Sequence, residues 1–259
     1  MSEHIKRHIL GYLDKNIRYD GRNTTDYRTI IIERGVSETA EGSATVKIGE
    51  TQVLVGVKLS IEKPFPDTPE NGNLMVGAEL LPLSSPEFEA GPPSIKSIEL
   101  ARVTDRGIRE GHCIDVRDLC LKKGEKVWTV SVDICPINDA GNLFDAASIA
   151  ALAALQNAKF PKYDAETFAV DYRDKTGGNL PIKCLPVSVT ILKIGKYLIV
   201  DPNSEEEKVY DARLTVESLE DGTICALQKG GEEALTIEEI EKMVELGLEK
   251  AVEIRKLLN

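Results

Sequence analysis

Near the start of the chain the apolar residues Ile5, Ile9, Leu10, Leu13 and Ile17 recur at intervals of three and four, the period of a helix that buries one face. Arg18-Tyr19-Asp20-Gly21-Arg22 interrupts that period. Alternating β-branched and polar residues over 43–48 and 51–57 flank Gly49-Glu50, which predicts a β-hairpin closed by a two-residue turn led by glycine. Pro64, Pro66, Pro69 and Gly72 mark a loop, 73–83 reads as a further strand, and 84–93 as a second loop punctuated by Pro and Gly. Ser94, directly after two prolines, opens a predicted helix to Glu110 with Ile98, Ala101, Val103 and Ile108 as its apolar positions. Residues 127–134 have the β-branched content of a strand, and Asp139-Ala140-Gly141-Asn142 has that of a turn. The alanine-rich stretch 144–158 is apolar nearly all round, the pattern of a helix packed closely on a sheet.

The stretch 159–181 is polar and without a period, which puts a domain boundary there, dividing the chain into 1–175 and 176–259. Beyond it, 186–194, 196–200, 212–219 and 223–228 read as strands, the last two joined through Glu220-Asp221-Gly222. Thr236 with Glu239 three residues later forms a capping box for a closing helix, predicted to bury Ile237, Ile240, Val244, Leu248, Ala251 and Leu258. Each half thus runs strands first and a helix last, the order of two related α+β subdomains, without an internal sequence repeat.

Composition adds limits. No run approaches the roughly 20 apolar residues of a membrane span, and no leader pattern is evident, so the expected compartment is the cytoplasm. Five cysteines, Cys113, Cys120, Cys135, Cys184 and Cys225, contain no C-x-x-C pair and read as reduced thiols, mostly in the core. A net charge of −11 argues against nucleic acid as a partner of the whole surface. That acidity is uneven along the chain: residues 201–241 hold 13 Asp and Glu against 3 Lys and Arg, leaving 30 acidic and 29 basic residues elsewhere.

Phosphate-loop, dinucleotide, zinc-protease and nucleophile-elbow motifs are all missing. Of the three histidines, His4 and His8 fall on the N-terminal helix and His112 stands without a motif, as a surface residue would. Arg102, Arg106 and Arg109 are spaced i, i+4, i+7 on the helix after the second loop, so they share a face. Guanidinium forks suit phosphate oxygens, and three in a row suit a nucleic-acid backbone. Ion pairing within the helix accounts for the same charges, since Glu99 precedes Arg102 by three, Asp105 precedes Arg109 by four, and Glu110 follows Arg106 by four. Asp201, Glu205, Glu206, Glu207 and Asp211 are dense enough for metal or acid–base work, but Pro202-Asn203-Ser204 before a triple Glu reads as a solvated loop, so no metal or cofactor is expected.

Together, several segments resemble the RNase PH family: Arg18-Tyr19-Asp20-Gly21-Arg22, the hairpin around Gly49-Glu50, and Gly91-Pro92-Pro93 leading to Ile98-Glu99-Leu100-Ala101-Arg102-Val103. Asp105-Arg106-Gly107-Ile108-Arg109-Glu110, Asp139-Ala140-Gly141-Asn142-Leu143-Phe144-Asp145-Ala146 and Val200-Asp201-Pro202 extend the resemblance over nearly the whole chain. Within the family the sequence is most similar to the non-catalytic RNase PH-like ring subunit of the archaeal exosome. That resemblance implies the RNase PH fold (ribosomal protein S5 domain 2-like) and a ring of three heterodimers with a catalytic RNase PH-like partner. It also implies a trimeric RNA-binding cap and phosphate-dependent 3′-to-5′ degradation of RNA. RNA-contacting arginines of the family match Arg102 and Arg106; Arg109 and Lys96 join them by spacing alone. Active relatives carry an Arg-Arg pair where this chain has Ile95 and Lys96, and a D-G-G-[ST]-R loop where it has Asp139-Ala140-Gly141-Asn142-Leu143. Arg213 stands near the place of a late catalytic Asp. No catalytic role is therefore carried over to any residue. The competing expectation is a self-sufficient phosphorolytic exoribonuclease or tRNA 3′-end trimmer acting as a homo-hexamer.

Overall fold

The computed structural model describes residues 2–259. In chain order it contains α1 (Ser2–Leu13), β1 (Ile30–Arg34), β2 (Gly42–Ile48), β3 (Thr51–Glu62), β4 (Asn73–Ala78), α2 (Ile95–Glu110), β5 (Cys120–Lys122), β6 (Lys126–Asn138) and α3 (Leu143–Asn157). It continues with β7 (Lys162–Tyr163), β8 (Val170–Asp171), β9 (Val187–Ile194), β10 (Tyr197–Val200), β11 (Ala212–Ser218), β12 (Ile224–Gly230) and α4 (Ile237–Leu258). The first sheet has the order β1-β2-β3-β6-β4 with β5 on β6, antiparallel throughout except for the parallel β4–β6 pair. The second has the order β10-β9-β11-β12 and is antiparallel. The two-subdomain α+β architecture expected from the sequence is present.

The hairpin forms as the sequence requires: Ile48 pairs with Thr51, and Gly49 takes a φ of 56° that a side chain would resist. Val53, Val55, Val57 and Leu59 point to one face, beside Val130, Val132 and Ile134 of β6, and all are buried. That apolar face meets α3, which packs against β2 and β3 on one side and β9 on the other. Contact on two sides explains why α3 is buried continuously from Asp145 to Leu155.

The second sheet has two unlike faces. Val187, Val189 and Ile191 of β9 stand beside Leu214 and Val216 of β11, and this apolar face takes α4, whose Gly247 lets the helix backbone close on Val216. Ser188, Thr190, Arg213, Thr215 and Glu217 alternate with them on the other face, turned toward α2 and α3. The contact between the two halves is therefore partly a buried polar layer. Ser188 Oγ donates to Glu217 at 2.9 Å and lies 3.0 Å from Ser148 Oγ of α3, while the Thr190 and Thr215 hydroxyls are 3.0 Å apart.

Several expectations need correcting. α1 ends at Leu13, and Ile17 beyond it is exposed; Ile9 and Leu13 pack on Leu192, Ile194 and Ile199, so the N-terminal helix sits on the second sheet. The strand expected over 73–83 stops at Ala78, whose carbonyl accepts from the Ser97 hydroxyl at 2.6 Å as the chain turns away. Thr236 and Glu239 form their capping box, but Ile237 is 73% exposed and Ile240 is exposed as well. The seam of α4 includes the expected Ala251 and Leu258 but otherwise runs through Met243, Gly247 and Ile254. Of the five free cysteines only Cys113 is fully buried. Residues 159–181 hold the small β7–β8 hairpin, and no helix among the described residues is long and apolar enough to cross a membrane.

Candidate functional site

A cavity of about 200 Å³ opens where the first turn of α2, the start of α3 and the second sheet meet, lined by Lys96, Glu99, Asp139, Leu143, Glu207 and Arg213 among others. Arg213 is all but buried. Its guanidinium carbon lies 4.2 Å from the centre of the Phe144 ring, and it pairs with Glu99, tying α2 to β11. Lys96 stands 3.6 Å from Glu87 with its ammonium 5.9 Å from the Phe88 ring centre.

At the start of α3 the backbone N–H of Asn142 donates to Glu207 Oε1 at 2.8 Å. A helix N-terminus offers unpaired N–H groups and the positive end of the macrodipole, an arrangement suited to anions. Here the chain's own carboxylate takes that place. Burial of this carboxyl pushes its pKa up to about 7, against the pull of the Asn142 amide. Gly141, at φ 92°, brings the loop within reach of residues 202–204, where a Cβ would meet backbone atoms at about 2.5 Å.

Behind this cavity lies a buried ionic network. Asp201 accepts from Arg22 at 2.7 Å, from Arg28 through Nε at 2.9 Å and Nη2 at 2.7 Å, from the Arg28 amide at 2.8 Å and from Asn142 at 2.9 Å. Burial works to raise the Asp201 pKa, but the Arg28 bonds prevail and hold it below the usual carboxylate value. Arg18, fully enclosed, grips Glu206 and also donates to the carbonyls of Val200 and Asp201, both at 2.8 Å. Tyr27 donates to the buried Asp145 at 2.6 Å, whose pKa burial raises to about 6. The expectation of a solvated acidic loop is thus overturned: only Glu205 of the triple Glu is exposed, because three arginines from the N-terminal segment reach into the loop. Among the described residues no group of three or more His, Cys, Asp or Glu could hold a metal ion.

The models of the 3′ exoribonuclease family match this chain twice, domain 1 over residues 26–161 and domain 2 over residues 184–250. The chain belongs to the RNase PH family. It is 48% identical over 256 residues to the exosome complex component Rrp42 of Pyrococcus horikoshii, covering 98% of this chain and 93% of that protein. To the Rrp42 of Methanopyrus kandleri it is 44% identical, over 97% of this chain and 95% of the relative. Its structure superposes on a chain of the Archaeoglobus fulgidus exosome with RNA bound to the active site, with a TM-score of 0.92 and 44% identity, covering 100% and 99% of the two chains. An archaeal exosome core gives 0.88 and 41%, covering 99% and 97%.

Within this RNase PH framework the four basic residues singled out from the sequence all lie on α2 but do not converge. Arg102 is exposed beside a second groove of about 560 Å³, lined also by Ile98, Glu79 and Asp133. Arg106 turns toward the second sheet, where it reaches the Leu227 carbonyl at 3.4 Å. Arg109 pairs with Asp105 at 2.7 Å and donates to the Leu74 carbonyl, whereas Lys96 belongs to the first cavity. Of the three ion pairs expected along the helix only Asp105–Arg109 forms, since Glu99 turns to Arg213. From the sequence, Glu207 falls within a loop read as solvated, Arg18 and Arg22 stand only within a family motif, and Arg28 is not singled out. For Arg213 and the buried Glu217 a signal was available in β11, where Arg213, Thr215 and Glu217 alternate with Leu214 and Val216, marking a polar face that needs partners.

Proposed function

We propose that this chain is a non-catalytic RNase PH-like subunit of an archaeal-type exosome acting in the cytoplasm. It pairs with a catalytic RNase PH-like partner, three such pairs close a ring under a trimeric RNA-binding cap, and the complex degrades RNA from its 3′ end with inorganic phosphate. This chain shapes the partner's site and grips RNA through α2, with Arg102 and Arg106 as the main contacts and Arg109 and Lys96 beside them.

The observation that carries the non-catalytic reading is the start of α3. Where active relatives cradle phosphate, the Asn142 amide is engaged by Glu207, and the apolar Leu143 stands in place of the arginine. A phosphate arriving there meets an occupied donor and a neighbouring carboxylate, and the guanidinium in the cavity, that of Arg213, is already paired with Glu99. The names of the relatives, exosome components, support the ring reading.

The test uses purified full-length chain with single-stranded RNA, phosphate and Mg²⁺. Expected is no release of nucleoside diphosphates from the chain alone and release once a catalytic RNase PH-like partner is added; release by the chain alone overturns the proposal. In the reconstituted complex, Arg102→Ala with Arg106→Ala is expected to weaken RNA binding and lower its salt slope by about 2, one per lost phosphate contact. An unchanged slope reduces both to structural arginines.

A further inference from the structure

The exposed side of α1 is unlike the rest of this acidic protein. At 100° per residue, His4 and His8 fall along the outer line of the helix, with Arg7 and Tyr12 on its flanks and Lys15 in the turn just past its end, while Ile9 and Leu13 anchor the opposite side. Tyr19, just past the helix, folds back onto this face. The rings of His8 and Tyr12 lie 5.2 Å apart, Tyr12 and Tyr19 5.6 Å, and His8 and Tyr19 6.0 Å, the two nearer pairs edge to face. Such clusters ordinarily fill cores, yet Tyr19 is 60% exposed and His8 is exposed too.

Arg7 and Lys15 are the free cations beside the rings, with Glu3 one turn before Arg7 on the same helix. Three of the neighbouring acids are already engaged, Asp14 by Tyr197 and Lys196, Asp20 by Arg22, and Asp211 by Lys6. Arg7 and Lys15 have no ion-pair partner among the described residues, and the Lys15 ammonium lies 6.0 Å from the centre of the Tyr12 ring. Exposed π-faces with unpaired cations beside them match a single nucleic-acid strand, whose bases stack on rings while its phosphates take the cations. A duplex, with its bases already stacked, gains only the charge term.

We infer that the His8–Tyr12–Tyr19 cluster on α1, with Arg7 and Lys15, is a second binding surface for single-stranded RNA, separate from α2. The inference rests on the RNA-handling function proposed above but concerns a different face. It assigns no chemistry to the surface, which holds a strand without sequence preference.

The test is fluorescence anisotropy of the full-length chain with a labelled oligoadenylate of about 12 nucleotides, a length within the usual single-strand footprint. Tyr12→Ala with Tyr19→Ala is expected to weaken binding about tenfold or more. Tyr12→Phe with Tyr19→Phe retains the rings and is expected to retain affinity. Lys15→Ala is expected to lower the salt slope by about 1. Oligonucleotides carrying 4-thiouridine are expected to cross-link within residues 4–19. Unchanged affinity in the double Ala variant, cross-links confined to α2, no RNA binding by the chain, or equal affinity for a duplex each overturns the inference. Loss on Arg102→Ala with Arg106→Ala alone leaves the α2 proposal standing and removes this one, so the two failures are told apart. Tyr12 is half-buried on the flank of α1 and Tyr19 lies beyond the helix, so thermal melts of the Phe variant are expected to coincide with the parent and those of the Ala variant to fall slightly below it, with α1 still folded by circular dichroism.

Discussion

Asp201 shows how a short motif acquires its meaning from residues far along the chain. It sits at φ 48°, strained for a non-glycine residue, and is held there by five hydrogen bonds to its carboxylate from Arg22, Arg28 and Asn142. Arg18-Tyr19-Asp20-Gly21-Arg22, Asp139-Ala140-Gly141-Asn142 and Val200-Asp201-Pro202 each carry part of the family resemblance, and the structure brings all three together in one network. Their role in this chain is to hold backbone, since most of the arginine donors go to main-chain carbonyls or to enclosed carboxylates. The Arg18–Glu206 pair is the most deeply enclosed part, with side-chain exposures of 0% and 2%. Removing one charge from such a pair leaves the other buried without a counter-ion. Glu206→Gln is therefore expected to lower the unfolding free energy by roughly 3 kcal/mol, measured by urea denaturation near pH 7. A loss below about 0.5 kcal/mol, the range of ordinary surface changes, would mean that the network carries little of the stability.

Among the elements, α4 separates what periodicity specifies from what packing selects. Its sequence has apolar residues on more than one line, and the capping box fixes where the helix begins but not which line is buried. The choice is made by Val216 and by the ridge of Val187, Val189 and Ile191, against which only the Gly247 side of the helix approaches closely. Ile254 is 1% exposed and Ile237 73% exposed, although both are apolar residues on one helix. Ile254→Ala is expected to cost roughly 3 kcal/mol through lost burial and the cavity left behind. Ile237→Ala is expected to stay within about 0.5 kcal/mol of the parent, both read from thermal or urea unfolding. The hairpin of β2 and β3, the start of α2 at Ser94 and the whole of α3 were legible because their signals are local: a glycine-led turn, a cap after prolines, an uninterrupted apolar run. β1 was not, because Ile30–Arg34 is short and becomes a strand by pairing with β2 at the sheet edge.

For the whole molecule, the division of charge along the sequence is not a division of charge in space. The acidic excess over 201–241 is offset from within by Arg18, Arg22 and Arg28, and part of it lies in the polar layer between the halves. Glu217 belongs to that layer: burial raises its pKa from 4.5 to about 7, although Ser188 and the charge of Arg106 pull the other way. Native protein thus holds this proton more tightly than the unfolded chain does. The resulting stabilisation is fully present below pH 4.5 and is lost as pH rises through about 7. Asp145, raised to about 6, and Glu207, raised to about 7, act in the same direction, whereas the lowered pKa of Asp201 favours the fold until acid protonates it. Urea unfolding at about pH 5.5 and about pH 8 is expected to show the parent less stable at the higher value. Glu217→Gln is expected to narrow that gap by on the order of 1–2 kcal/mol. An unchanged gap would place the pH dependence elsewhere.

The sequence by itself determined the elements with strong local signals, the two-subdomain order of strands and helices, and membership of the RNase PH family through motifs spread over the chain. Tertiary structure alone decided which carboxylates are buried: Asp201 and Glu206 are enclosed by arginines 170 or more residues away, and Asp145 and Glu217 by Tyr27 and Ser188 from other elements. It also decided that Glu207 fills the start of α3, that Arg102, Arg106 and Arg109 point in different directions, and that α1 turns its rings and cations outward. Those outcomes follow from which surfaces meet, and periodicity along one segment carries no record of its neighbours in space.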